Sequence, residues 1–410
     1  MTGKMHTAGA RRLGIAAVTL AAALAAAPVL AGEVKIGALM PMTGALGEYG
    51  VTSLNGIKLA ADEINAAGGV LGSKLSIVVG DTQTNPQAGV ESAKRLVSVD
   101  KVAGLVGALA SGVTIPVAKS VSSTAGVPQI SSASTAPTIT TLADNDFLFR
   151  TTPHDALQGV VLGDVVKGAN ISKVSIIYVN NDYGKGLADA FAARFQALGG
   201  KVVASLGYEE KQASYRGELA NIAKGGPEAL VLIAYPGDGV PIIKQALEGG
   251  YFSKFVFTDG MKSVDMTKSI PAKYLEGSLG TAPEPKDSAA KKHFVEAYKA
   301  ANGKLPPHPF IETAYDATYL LALAIQKAGS TDGTKVRDAL RQVANPPGEP
   351  VLPGEWAKAR QLIAAGKDID YFGAAGSQNF DAAGDVPGTF GVWTVKGGTI
   401  KTLRIVEPKM

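Results

Sequence analysis

At 410 residues, with 46% hydrophobic and 19% charged side chains and 49 glycines, the chain is too long for one ordinary core and too apolar for disorder. It contains no cysteine, which excludes a thiol nucleophile and any disulfide. The formal charge of +4 falls to +1 once Lys4, Arg11 and Arg12 are set aside, and no Lys/Arg cluster marks a nucleic-acid surface. Those three cations lie in a stretch without acids, residues 1–31, where an Arg pair precedes an apolar run at 13–26 and small residues lead to Ala31. This is the pattern of a signal peptide cut after Ala31, which predicts an exported, periplasmic protein. A membrane-retained N-terminus is the alternative, and the Arg pair also suggests twin-arginine export, although Leu13-Gly14 fits that signal poorly.

The mature chain opens with a predicted strand at 33–40 (EVKIGALM), a glycine-rich loop at 41–50 and a helix at 53–67 stopped by Gly68-Gly69. A strand at 74–80 follows, and Asn85-Pro86 starts a second helix with an N-cap and a proline at its first position. Next come a strand at 105–109, a Ser-Gly turn, a helix at 113–123, a strand at 128–131 and a turn rich in small hydroxyl residues. These short strands are apolar without alternation, as in a parallel sheet covered on both faces. They therefore end at one sheet edge, where open α/β sheets bind ligands. That edge carries Ser111, Thr114, Ser132, Ser134 and Thr135. Ser111 is placed either to cap the helix or to help seat an anion at its N-terminus.

Residues 151–280 repeat the scheme, with strands at 174–179, 202–206, 229–234 and 255–258 and helices between them. The Gly-Gly pairs at 68–69 and 199–200 fall at matching points of the two halves. The expected fold is α/β, two doubly wound parallel-sheet lobes joined by a three-strand hinge. Helices at 289–301, 310–328, 334–343 and 355–365 and a strand at 390–395 complete the chain. Pro-containing joints at 152–153, 282–285 and 385–387 are the expected crossings. The boundaries are then 32–152 plus 283–386 for one lobe and 153–282 plus 387–410 for the other.

Catalytic constellations are scarce. The four histidines have no metal-ligand spacing, no serine sits in a nucleophile elbow, and residues 68–75 (GGVLGSKL) lack the order of a phosphate loop. His154 reads as a residue capping or lining a joint. No catalytic residue, metal or cofactor is expected, and a Rossmann-like enzyme is the alternative from another class. The remaining polar and aromatic candidates follow predicted strands: Tyr49, Ser111 and Thr135 in the first lobe, and Tyr183, Tyr235 and Asp259 in the second. Each has an ordinary reading too, as half-buried tyrosines, a helix cover at Tyr49 and a turn at Asp259-Gly260.

The segments EVKIGALMPMTGALGEYG, GIKLAADEINAAGG, VGALASGVTIPVA, PQISSASTAP, VNNDYGKGLADAF and NFDAAGDVPG together resemble the periplasmic branched-chain amino-acid binding proteins of ABC transporters. This is the type I, Venus-flytrap class of solute-binding proteins. The resemblance implies a monomer that captures a small amino acid or analogue between two lobes and delivers it to a membrane permease. A receptor or sensor for amides, urea or aromatic acids on the same fold is the alternative. It implies a carboxylate seat at Ser111, with Ser134 and Thr135 on the same edge and Thr135 as a further hydroxyl donor. An ammonium partner is implied at Asp259, where a Glu is common, with Tyr183 and Tyr235 reaching the ligand on closure and Tyr49 against its side chain. Thr84 and Ala110 stand where some relatives have a disulfide.

Overall fold

The computed structural model describes residues 1–5 and 32–408, so the expected signal segment lies almost wholly outside the described residues. No helix among the described residues is long and apolar enough to cross a membrane.

The first lobe is built on five parallel strands, β1 (Glu33–Met40), β2 (Lys74–Asp81), β3 (Leu105–Gly107), β4 (Gln129–Ser131) and β5 (Leu148–Arg150), in the order β2-β1-β3-β4-β5. Helices α1 (Gly47–Ala66), α2 (Pro86–Ser98) and α3 (Ser111–Val117) connect them. The α2 start follows the sequence: the Asn85 side chain accepts from the Ala88 amide at 3.0 Å and Pro86 takes the first helical position. Two expected bounds move. The α1 helix begins at Gly47, six residues before the expected start at Ser53, because its first turn is consumed in contacts with the other lobe. The α3 helix begins at Ser111 rather than Val113, with Ala110 at the N-cap and no side-chain cap, so Ser111 does not cap it.

The chain then crosses to α4 (Asp155–Gly168), which the sequence pattern hides. Its segment DALQGVVLGDVVKG packs against α5 (Asp182–Ala197) and the second sheet and shows no clear polar face, since Asp155 and Gln158 are buried with its apolar residues while Ala156 and Gly168 are exposed. A Cβ at Gly159 would lie 2.6 Å from the Ala190 side chain, so the two helices approach only because glycine stands there. The second sheet holds β6 (Lys173–Val179), β7 (Lys201–Tyr208), β8 (Ala229–Ile233), β9 (Phe255–Phe257) and β10 (Leu279–Pro283), with α6 (Arg216–Ile222), α7 (Pro236–Glu248) and α8 (Val264–Ser269) between them.

The chain returns for α9 (Ala289–Asn302), α10 (Ile311–Ala328) and α11 (Gly333–Ala344), then β11 (Glu349–Val351), α12 (Trp356–Ala364), β12 (Ile369–Gly373) and β13 (Gly376–Ser377). These last three strands form a small separate sheet that the sequence pattern did not suggest. The α10 helix is buried on every side because it lies between α1, α11 and the strands β3 and β4. A final crossing leads to β14 (Phe390–Lys396) and β15 (Thr399–Val406), giving the second sheet the order β15-β14-β10-β9-β8-β6-β7. This lobe is not wholly parallel: β14 runs antiparallel to β10, and β15 antiparallel to β14. A seven-residue strand joined to the next by Gly397-Gly398 can only fold back on itself.

The crossing at Asp385 is anchored by a buried ion pair. Arg150, at the end of β5, is 0% exposed and pairs with Asp385 through two hydrogen bonds of 2.5 and 2.8 Å. Its Nη1 also donates to the Ala136 carbonyl at 2.9 Å, so one guanidinium ties the hinge to the loop after β4.

Candidate functional site

Each main sheet changes direction at one point, between β1 and β3 in the first lobe and between β6 and β8 in the second. Loops leaving the strand ends at these switch points diverge and leave a crevice. The two crevices face each other, and a small cavity lies between them. Leu46, Tyr49, Leu109, Ser111, Ala133 and Phe310 line it from the first lobe, and Tyr183, Tyr235, Asp259 and Gly260 from the second. Five of the expected residues, Tyr49, Ser111, Tyr183, Tyr235 and Asp259, thus share one cavity.

Ser134 and Thr135 do not line it. The Ser134 hydroxyl is 2.7 Å from Thr114 Oγ1 and donates to the Leu109 carbonyl at 3.0 Å, fastening the loop after β4 to the loop after β3. The Thr135 carbonyl accepts from the Asp155 amide at 2.8 Å, and its buried hydroxyl also lies near the Asp155 carboxyl. Ser111 accepts from the Ala136 amide at 3.2 Å through its hydroxyl oxygen, leaving the hydroxyl proton available to an acceptor in the cavity. Thr84 accepts from the Leu46 amide at 3.0 Å through its hydroxyl oxygen and so fixes the loop that carries Leu46.

On the opposite wall Asp259 is held from two sides. Tyr183 Oη donates to its Oδ1 at 3.0 Å and Gln158 Nε2 donates to the same oxygen at 2.9 Å. Burial pushes the Asp259 carboxyl up to about 6, against the lowering effect of Gln158 and Tyr183. Gly260 lets this loop sit close: a Cβ there would lie 2.4 Å from the Ala234 carbonyl oxygen. Tyr183 stacks on Tyr235 with ring centroids 5.5 Å apart, and Asn181 Nδ2 donates to Tyr235 Oη at 3.3 Å. Tyr49 spans the lobes, its hydroxyl shared between the Asp259 carbonyl at 3.0 Å and the Gly260 carbonyl at 3.2 Å.

A second acid stands behind the first. Asp155, the first residue of α4, is 0% exposed and neither carboxylate oxygen has a hydrogen-bond partner. Burial, then the charge of Asp259, raises its carboxyl well above the ordinary range, while the nearby Thr135 hydroxyl acts the other way. Ser132 Oγ, Thr135 Oγ1 and Gln158 Oε1 are also buried without partners. The sequence reading missed Asp155 because it follows a crossing instead of a strand; Pro153 two residues before it was the available signal. The apolar wall of Leu46, Leu109, Ala133 and Phe310 was also missed, having no pattern of its own in sequence. Phe310 takes φ 74°, a left-handed conformation uncommon for a bulky residue, which turns its backbone at the cavity edge.

The chain is similar to known binding proteins. An amino acid binding protein of Pseudomonas aeruginosa is 31% identical over 354 residues, covering 86% of this chain and 93% of that one. A branched-chain amino acid transporter substrate-binding protein of Streptococcus pneumoniae, solved in complex with isoleucine, superposes with a TM-score of 0.77 at 26% identity, over 92% of this chain and 100% of that one. An ABC transporter solute-binding protein of Rhodopseudomonas palustris, solved with benzoate, has the same fold, with a TM-score of 0.76 at 21% identity over 92% and 98% of the two chains. The periplasmic binding protein family matches residues 33–364, and this chain is a member of it.

Proposed function

We propose that this protein captures an amino acid with an aliphatic side chain between its lobes and delivers it to the permease of an ABC importer. The observation that carries the reading is that Ser111 and Asp259, a hydroxyl donor and a buried acid, line one cavity from opposite lobes. A buried zwitterion must exchange water for partners at both ends, since an unpaired buried ion costs several kcal/mol. The carboxylate is assigned to the Ser111 hydroxyl and the first-turn amides beside it, and the ammonium to Asp259 with Asp155 behind it. Tyr49, Leu46, Leu109, Ala133 and Phe310 receive the side chain. Because the two ends are met by different lobes, only the closed form satisfies both, and binding drives closure.

The lobes are assigned as 32–152 plus 283–386 and 153–282 plus 387–410, and the protein as an exported, periplasmic monomer that captures its ligand without turning it over. An aromatic acid such as benzoate would leave the Asp259 carboxylate without a cationic partner, which favours the amino acid. Isothermal calorimetry with leucine, isoleucine, valine and benzoate tests the assignment. Tight binding of the amino acids and none of benzoate is expected, and the reverse order refutes it.

A further inference from the structure

The ligand cavity is not the only place where the lobes meet. One residue before Tyr49, Glu48 reaches out of the first turn of α1 to the second lobe. Its Oε2 accepts from the Ser263 hydroxyl at 2.6 Å, and its Oε1 from the amides of Val264 at 3.0 Å and Asp265 at 3.3 Å. Those amides open α8 and have no acceptor within their own helix. On its own lobe Glu48 pairs with His308, which in turn stacks on Tyr49 with ring centroids 5.2 Å apart. Burial would raise the Glu48 carboxyl, but His308, Ser263 and the Asp265 amide outweigh it and hold the group below its ordinary range.

We infer that Glu48 is a positioning residue, an interlobe latch held ready by His308, which sets how long a captured ligand is retained without touching it. Three features make the contact a latch instead of part of either lobe's fold. First, all its acceptors belong to one lobe and all three donors named above to the other. Second, Ser263 also accepts from the Met266 amide at 3.2 Å, so opening leaves the α8 cap in place. Third, the latch is continuous with the cavity through Tyr49 on one side and the Asp259-Gly260 loop on the other, so a ligand that orders these residues also aligns Glu48 with α8. On opening, Glu48 and the Ser263 hydroxyl return to water at little cost. Closure therefore exchanges hydrated groups for charge-assisted hydrogen bonds that the ligand does not supply.

The inference rests on two-lobe capture and not on which ligand is captured, and two measurements separate these. With no ligand added, amide hydrogen exchange at Val264 and Asp265 is expected to be faster in Glu48→Ala than in the parent, with the melting temperature unchanged. With L-leucine as the probe, stopped-flow fluorescence reads association and dissociation. Because the chain has no cysteine, Lys94→Cys and Lys244→Cys, exposed on α2 and α7, provide a specific dye pair across the lobes. Dissociation about tenfold faster in Glu48→Ala with association unchanged is expected, roughly the effect of one charge-assisted hydrogen bond. Glu48→Gln, which keeps an acceptor oxygen but not the charge, should fall between them. Equal exchange at both amides, equal dissociation, or a large loss of melting temperature in Glu48→Ala would overturn the latch. If leucine fails to bind the parent while Glu48→Ala still speeds exchange, the latch stands and the ligand assignment falls.

Discussion

Tyr183 Oη donates to Asp259 Oδ1 at 3.0 Å while lying 2.8 Å from Thr258 Oγ1, so an aromatic from the start of α5 holds the acid that follows β9. Fixing an acid by a neighbour's hydroxyl leaves its second oxygen to face a ligand and keeps its proton affinity lower than burial alone would set it.

Removing that hydroxyl should therefore do more than weaken binding. In Tyr183→Phe the Asp259 carboxyl loses a stabilising donor and its pKa rises further from about 6. Affinity for leucine at pH 7 should fall by about 1 kcal/mol. The acid limb of the affinity profile should also shift to higher pH, read by calorimetry between pH 5 and 8.

Only the ionised form of Asp259 pairs with an ammonium group. Affinity should be full well above pH 6 and decline as the pH falls through about 6, where the carboxyl takes up its proton. Asp259→Asn should weaken binding by about 2–5 kcal/mol and flatten this dependence. A variant with undiminished affinity would assign the cation to another group.

Ser111→Ala removes a hydroxyl donor from the opposite wall. A loss of about 1–3 kcal/mol in leucine affinity is expected if the hydroxyl meets a buried carboxylate. Calorimetry showing no change would leave Ser111 only its contact with the Ala136 amide.

Asp155 predicts a trade between stability and binding. Burial raises its carboxyl, so the folded chain keeps a proton that the unfolded chain releases near pH 4. Unliganded stability should thus fall as pH rises above that point, because the native state binds more protons there. Asp155→Asn should raise the melting temperature at pH 8, leave it unchanged at pH 4, and weaken amino-acid binding.

The Arg150–Asp385 pair should be expensive to break from one side. Asp385→Ala leaves a guanidinium 0% exposed without its counterion, at a cost of about 3–5 kcal/mol in urea unfolding. The exposed pair Lys185–Asp189, by comparison, should contribute little, so Asp189→Ala should leave the urea midpoint nearly unchanged.

Much of this could be read from the chain itself. Apolar runs without alternation specify parallel strands, and Asn85-Pro86 specifies a helix start. The loops after the strands hold the polar residues that the cavity gathers, because side chains at strand ends are the ones a packed sheet leaves free. These signals are local, each encoded within about ten residues by burial periodicity or backbone preference.

What the sequence determined by itself was therefore the two-lobe α/β plan and the identity of five residues that line the cavity. Only the tertiary structure decided that α4 is a helix, since its buried side includes the polar Asp155 and Gln158 while Ala156 and Gly168 face solvent. It alone decided that β14 and β15 run antiparallel, that Ser134 turns inward to bind the Leu109 carbonyl, and that Asp155 and Glu48 stand beside the second-lobe loop at 258–265. The reason is physical: these facts depend on contacts between residues up to about two hundred positions apart, such as Glu48 with Val264, and no local propensity records which distant surface will complete a hydrogen bond or bury a charge.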